Sequence, residues 1–320
     1  MRCLSCREKA LFISVLMRVK SRYLIVLSLL FCIFVTPIKA DVTFNNGLYN
    51  SVDYTIEDNV EIKNSTTVEL LTNGRIGGRS IVWDSSELDI SGGIVDGYVV
   101  SLGNSQIYIS SGTIKADLLV NGSSYVKVTG GTIVANDEGN LKLSDTSELL
   151  FAGGQVGVNG GTSCSDLGVE GSAFATITGG QIERLTVFDY GQVEIRGGTI
   201  GYANWQNAAL IHQESSTHVY GGDLIGQIRL GANPYWPDES CQLFVHGTNF
   251  KINGLPVEYG TYINPNKPGY TDYYLTGILL SGETINNHIY LYDDSSLVLI
   301  PEPATLFLLG LGVVMLRRKC

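Results

Sequence analysis

Positive charge is scarce in this chain and concentrated at its ends. Only 21 of 320 residues are Lys or Arg, against 31 Asp or Glu. Seven of the basic residues and one acid fall within 1–40, and three basic residues and one acid within 301–320. Residues 41–300 therefore keep 11 and 29, a net charge of −18. A surface of that sign repels phosphate backbones and excludes nucleic acid as a partner. It keeps the chain soluble and can collect Ca²⁺ only weakly. Charged residues are 16 % of the whole and prolines number eight, whereas glycines number 38. No stretch carries the 3.6-residue apolar spacing of a long amphipathic helix. The four histidines (His212, His218, His246, His288) form no HExxH pair, and no GxSxG elbow is present. Neither a metal nor any other cofactor is expected.

What the chain has instead is one short phrase that returns. Asp89-Ile90-Ser91-Gly92-Gly93-Ile94 is followed by Ile109-Ser110-Ser111-Gly112-Thr113-Ile114 and Val128-Thr129-Gly130-Gly131-Thr132-Ile133. The phrase recurs around Gly154, Gly180, Gly198 and Gly222, with degenerate copies at Asn73-Gly74-Arg75-Ile76 and Gly247-Thr248-Asn249-Phe250. The marker glycines are spaced 19, 19, 19, 23, 26, 18, 24 and 25 residues apart. A fixed period that later gains insertions is the signature of a solenoid. Residues ahead of each glycine alternate, as in Tyr125-Val126-Lys127-Val128, with one side facing in and the other out. The glycines allow a sharp corner with positive φ, and Thr-Ile then resumes a strand. A second apolar pulse follows, such as Leu118-Leu119-Val120. No coil buries its apolar face alone; stacking on its neighbours does that. The expected fold is all-β: a parallel β-solenoid (β-helix) of eight to nine coils with a C-terminal β cap. At about 4.8 Å per coil it makes a rod about 40 Å long.

The chain then divides at 1–40, 41–250, 251–300 and 301–320. Residues 41–72 lack the glycine corner until Gly74 and are expected to cap the first end. The insertions Asn136–Asn140, Gly157–Gly171, Tyr202–Asn207 and Asn233–Asp238 are expected as side loops, where binding can reside. Among their residues, Trp205, Tyr235 and Trp236 either stack on sugar rings or cover the apolar edges of neighbouring coils. Cys164 and Cys241 are the two cysteines of the body; they lie about three coils apart, and bridged Cα atoms must approach within about 7 Å. Their pairing stays open. Tyr273–Leu280, Ile285–Tyr292 and Ser296–Ile300 read as strands of the cap.

Both ends read as addresses. Arg18, Lys20 and Arg22 precede the apolar run Tyr23–Val35 and then Thr36-Pro37-Ile38-Lys39-Ala40, the layout of an export signal cut after Ala40. The Sec machinery and signal peptidase are its implied partners, with Met1 or Met17 as start. Phe31 before Cys32 argues against a lipoprotein. At the other end Pro301-Glu302-Pro303 leads into the apolar Thr305–Leu316 and then Arg317-Arg318-Lys319. A 12-residue helix spans only about 18 Å, short for a bilayer, and its basic end should stay cytoplasmic and stop transfer. A plain membrane anchor is the alternative.

This three-part tail resembles the PEP-CTERM sorting signal of Gram-negative bacteria over about the final 20 residues. The resemblance implies an exosortase partner, a membrane protease of the cysteine transpeptidase-like kind that reads Pro301-Glu302-Pro303 and removes the helix. It also implies transient insertion of an inner-membrane precursor, then the cell surface or extracellular space, with exopolysaccharide as a candidate partner. The repeat phrase more loosely resembles the β-helical bodies of such exported proteins. Pectate lyases and polygalacturonases also use parallel β-helices, so fold leaves catalysis open. Asp84, Asp89 and Asp96 are followed one period later by Gly103, Tyr108 and Lys115, so the acids are not expected to stack from coil to coil. Thr113, Thr132 and Thr199 suggest an ice-binding row, but Gln155, Gln181 and Asp223 interrupt it. The expectation is a structural or adhesive protein with no catalytic residue; a polysaccharide lyase or hydrolase is the runner-up.

Overall fold

The computed structural model describes residues 41–134, 140–157, 166–202, 207–231, 240–266 and 269–302. Ala40, Cys164, Trp205, Tyr235, Trp236, Pro303 and Arg317–Lys319 lie outside the described residues. Within them the chain is all-β, with no helix, and winds as a parallel β-solenoid of about nine turns. Each regular coil has three strands, and each strand lies in register on its counterpart one coil earlier. The first face stacks Val60–Ile62, Ser80–Val82, Val99–Ser101 and Leu118–Val120. The second stacks Thr67–Leu70 on Tyr49–Val52 and then continues through Leu88, Ile107 and Val126. The short third face stacks Ile76, Val95, Ile114 and Ile133.

Alternation places the core. In one coil Leu118 and Val120, Val126 and Val128, and Ile133 turn inward and are at most 1 % exposed. Five inward apolar side chains in such a coil thus fill the interior, and those of adjacent coils touch along the axis. This is how a unit too small to bury anything becomes stable by repetition. Residues 41–72 do not form a separate cap: they supply the same three strands, Val42–Phe44, Tyr49–Val52 and Thr55–Ile56. The glycine corner is therefore a refinement of the coil, not a condition for it.

Two corners hold the coil shape, for different reasons. Between the second and third faces Gly131 has φ +76°, and a Cβ there would stand 2.9 Å from the Gly112 carbonyl oxygen of the preceding coil. Its partner Gly130 needs no positive φ, but a Cβ would come within 2.2 Å of the Ser110 oxygen. The degenerate copies Gly74 and Gly247 do not take positive φ. Between the first and second faces runs a second left-handed row, through Asp84, Gly103, Gly122, Asp145, Gly171, Asp189 and Gln213. Here Asp145 Oδ2 accepts from the Gly122 N–H at 2.9 Å, and Gln213 Oε1 from the Asp189 N–H at 2.8 Å. Asp and Asn tolerate this conformation because a short polar side chain bonds nearby backbone.

Two residues beyond that row a small side chain turns fully inward: Ser86, Ser105, Ser124, Ser147, Ala173 and Ser215. Three of the hydroxyls donate to the carbonyl three residues back, Ser124 to Asn121 at 2.7 Å, Ser147 to Ser144 at 2.8 Å and Ser215 to His212 at 2.6 Å. Cys241 occupies the same place in its coil, its Sγ donating to the Ile211 oxygen at 3.1 Å, as Ser147 Oγ donates to Val120 at 3.2 Å.

The insertions cluster. Three of the four fall in sequence between a third-face strand ending at Ile133, Val156 or Gly201 and the first-face strand of the next coil, and the fourth falls between first-face Gln227–Leu230 and second-face Gln242–Ile252. The stretch expected as a loop from Gly157 to Gly171 contains a regular rung, Asp166–Val169, because Leu167 and Val169 alternate inward against Leu141 and Leu143.

The final segment leaves the rod and comes back to it. Gln242–Ile252 runs through residue 250 into a tight Asn253-Gly254 turn with φ of 52° and 80°. Tyr270–Leu279 and Thr284–Tyr292 then form an antiparallel hairpin. Within the second hairpin strand Ile289–Leu291 stacks parallel on Ile228–Leu230, and Ser296–Pro301 stacks parallel on Gln242–Gly247. Gly260–Ile263 covers the outer edge of that last rung in antiparallel fashion, which closes a row of backbone groups otherwise open to pairing.

Candidate binding groove and sorting segment

The outer side of the second face carries two residues per coil, and the register places them in rows. One row runs Thr67, Glu87, Gln106, Tyr125, Glu148; the next runs Glu69, Asp89, Tyr108, Lys127, Leu150. This corrects the expectation that acids do not stack. Asp89 is followed by Tyr108, as read forward, but read backward it sits on Glu69, and Glu87 lies beside it on its own strand. The spacing of 20 residues between Glu69 and Asp89, one more than the glycine step, is what hid the pair.

A cleft of about 460 Å³ opens there, lined by Glu87, Asp89, Tyr108, Ile109, Ser110, Lys127 and Thr129. Ser110 marks a one-residue register shift between Ile109 and Ser111, the kind of local bulge that re-aims side chains. The Tyr108 hydroxyl donates to Gln106 Oε1 at 2.6 Å, and its ring meets Tyr125 edge-on at 6.3 Å. Burial raises the Glu87 carboxyl above the ordinary range, helped by Asp89. Burial likewise raises Asp89, helped by Glu69. Glu69 moves the other way, because it accepts hydrogen bonds from the Tyr49 hydroxyl and from Ser91. Glu87 and Asp89 themselves have neither a hydrogen-bond donor nor a cation partner among the described residues.

Other charges are spent on the scaffold. Asp96 bridges three coils, to Arg75 at 2.6 Å and to Lys115 at 2.9 Å, and the Lys115 and Arg75 hydrogen bonds hold its carboxyl low. Arg184 grips Asp166 through Nε at 2.7 Å and through Nη2 at 2.6 Å. On the third face Thr113, Thr132, Gln155, Gln181, Thr199 and Asp223 stand in one row.

The histidines divide. His218 and His246 meet at 3.2 Å on the second face, with Phe244 stacked 4.3 Å from His218 and Tyr220 stacked 4.1 Å from His246. Arg196 lies 4.6 Å over the Tyr220 ring. Burial, with His218 alongside, depresses His246 to about 4. His288 pairs with Asp272 at 2.9 Å, and His212 stacks on Phe188 at 5.0 Å. Among the described residues no group of three or more His, Cys, Asp or Glu is placed to hold a metal ion, and no helix is long and apolar enough to cross a membrane.

The tail begins inside the rod. Leu299 is core, 2 % exposed, and Pro301 ends the last strand opposite Gly247. Glu302 is the first residue past it, half-buried and outside any strand. A family model described as the PEP-CTERM protein-sorting motif matches residues 299–319. No curated protein and no solved structure matches the chain. The molecule is thus a β-solenoid that carries a PEP-CTERM sorting motif. That motif implies exosortase processing of an exported, membrane-anchored precursor that is then secreted.

Proposed function

We propose that the body is a non-catalytic display rod, sorted to the cell surface or extracellular matrix, where it acts structurally or adhesively in association with exopolysaccharide. One observation carries this reading: the sorting motif starts at Leu299 within the last rung, so no spacer separates rod from address. Processing after that point delivers the closed rod whole. Expression of the full chain in an exosortase-positive host tests it. Polysaccharide recovered from the medium should carry the rod down with it, and digestion of that polysaccharide should release it. Rod that partitions with the membrane, whatever the glycan content, would overturn the reading.

A polysaccharide lyase or hydrolase is the second reading. It is favoured by Glu69 and Asp89, neighbouring carboxylates whose environments push their protonation in opposite directions, the usual sign of an acid and base pair. Turnover of neutral or acidic glycans by the purified chain, abolished by Asp89→Asn, would replace the display reading.

A further inference from the structure

The 460 Å³ cleft on the second face falls within the roughly 300–1,000 Å³ range of ligand sites. It crosses three successive coils, from Glu87 and Asp89 through Tyr108 and Ser110 to Lys127 and Thr129. A ligand filling it lies along the rod and not around it. Its chemistry is graded. At one end stand two half-buried carboxylates without donor or cation, with Glu69 on the coil before. In the middle are the Tyr108 ring and the hydroxyl of Ser110. At the far end Lys127 and Thr129 offer an ammonium and a hydroxyl.

A ligand that fits must bring positive charge or strong donors to Glu87 and Asp89, an apolar flank to Tyr108, and acceptor oxygens to Lys127. A neutral sugar supplies the last two but leaves two carboxylates uncompensated, at a cost that grows with burial. A uronate brings a third like charge into a cleft already short of cations, on a body of net −18. An amino sugar meets all three demands: its ammonium pairs with the carboxylates in charge-assisted hydrogen bonds, its ring face covers Tyr108, and its hydroxyl oxygens accept from Lys127. We propose that this cleft binds an amino-sugar polysaccharide with free ammonium groups, the ammonium held by Glu87 and Asp89. The proposal rests on the exopolysaccharide reading above and narrows it to one class of polymer, against the acidic glycans that other parallel β-helices act on.

The test is calorimetric titration of the purified full-length chain in detergent, at low ionic strength, with three probes: a glucosamine oligomer, its N-acetylated counterpart and a galacturonate oligomer. The glucosamine oligomer should bind at least tenfold tighter than the acetylated one, and the galacturonate oligomer should not bind. Glu87→Gln and Asp89→Asn should each weaken glucosamine binding about tenfold, the loss expected for a partly buried charge-assisted contact. Both keep the parent side-chain shape on an outer face, and an unchanged melting temperature verifies the fold. Asp223→Asn, which removes the same charge from the third face, should leave affinity unchanged. Equal affinity for the acetylated oligomer, preference for galacturonate, or an Asp223→Asn loss equal to that of Asp89→Asn would each overturn the proposal. The two readings fail separately. A rod that co-sediments with matrix polysaccharide but ignores glucosamine loses the cleft assignment alone. A chain that binds glucosamine through Asp89 yet stays with the membrane loses the display reading alone.

Discussion

Gly131 and Gly198 show how two physical demands meet in one residue. Both have positive φ, at 76° and 87°, and both lie within 2.9 Å of backbone in the preceding coil once a Cβ is added. Gly254 shares the conformation at φ +80°, yet nothing lies within 4 Å of its added Cβ. The comparison separates strain from crowding. Gly254→Ala should cost about 1 kcal/mol from backbone conformation alone. Gly131→Val and Gly198→Val should each cost about 1–3 kcal/mol from conformation, with the coil contact adding to it. Denaturant midpoints measure all three. If the corner variants lose no more than Gly254→Ala, the close approach between coils does not constrain these positions. At this scale the sequence was readable wherever a residue type is forced: the Gly-Gly corners declare themselves because little else fits. The second corner is quieter, because Asp, Gly and Gln all occupy it, and the Ser two positions later is its main repeating mark. The Asn253-Gly254 turn carries a hairpin signal, but it lies past the last glycine corner, where the repeat period says nothing about it.

Single elements carry the more local surprises. The hairpin Tyr270–Leu279 with Thr284–Tyr292 does more than close the end: its turn reaches the second face, where the Ser281 N–H donates to the Tyr220 oxygen and the Leu280 N–H to the His246 oxygen, each at 3.0 Å. It therefore borders the His218–His246 pair. His246 is held neutral, its folded value near 4 against an ordinary 6.5, by burial first and His218 second. Burial also lowers His218. A depressed folded value means that the unfolded chain binds the proton more readily. The stabilising contribution is full above about pH 6.5 and is lost as pH falls toward 4. Glu194 opposes this shift and Arg196 adds to it. His246→Phe keeps a ring against Tyr220 but removes the titration, so its melting temperature should fall less than the parent's between pH 6.5 and 4. Parallel curves would show that His246 does not contribute to acid sensitivity. Strands of this kind were legible through alternation alone: Tyr125–Val128 and Ser296–Ile300 needed no context. The Asp166–Val169 rung was lost in an expected loop because glycines flank it, and Glu69 beside Asp89 was missed because pairing depends on register, which insertions and bulges shift by single residues.

For the whole molecule the governing fact is polarity, of charge and of direction. The acidic body lies between two ends that hold ten of the 21 basic residues, a distribution that favours translocating the middle and retaining the tail's basic stop. The rod and its address share residues: Leu299 packs in the core while belonging to the sorting motif, and Pro301 both ends the strand and begins Pro-Glu-Pro. Proline fixes φ and removes a donor, so no helix extends easily back into the rod. Glu302 is then the first residue past the last rung, half-buried and outside any strand, so cleavage beyond it would leave every coil intact. Glu302→Ala should block processing and leave the solenoid intact. The uncut chain should remain with the membrane and react with an antibody against Arg317-Arg318-Lys319, while its melting temperature matches the parent's. Leu299→Asp should do the reverse, unfolding the last rung first and exposing the body to proteolysis regardless of exosortase. Immunoblots of membrane and released fractions, in hosts with and without the exosortase, distinguish these outcomes. Release of the Glu302→Ala chain at the parental rate, or release unchanged in the exosortase-deleted host, would mean that the Pro-Glu-Pro element is not what is read. The tail would then act as a plain membrane anchor.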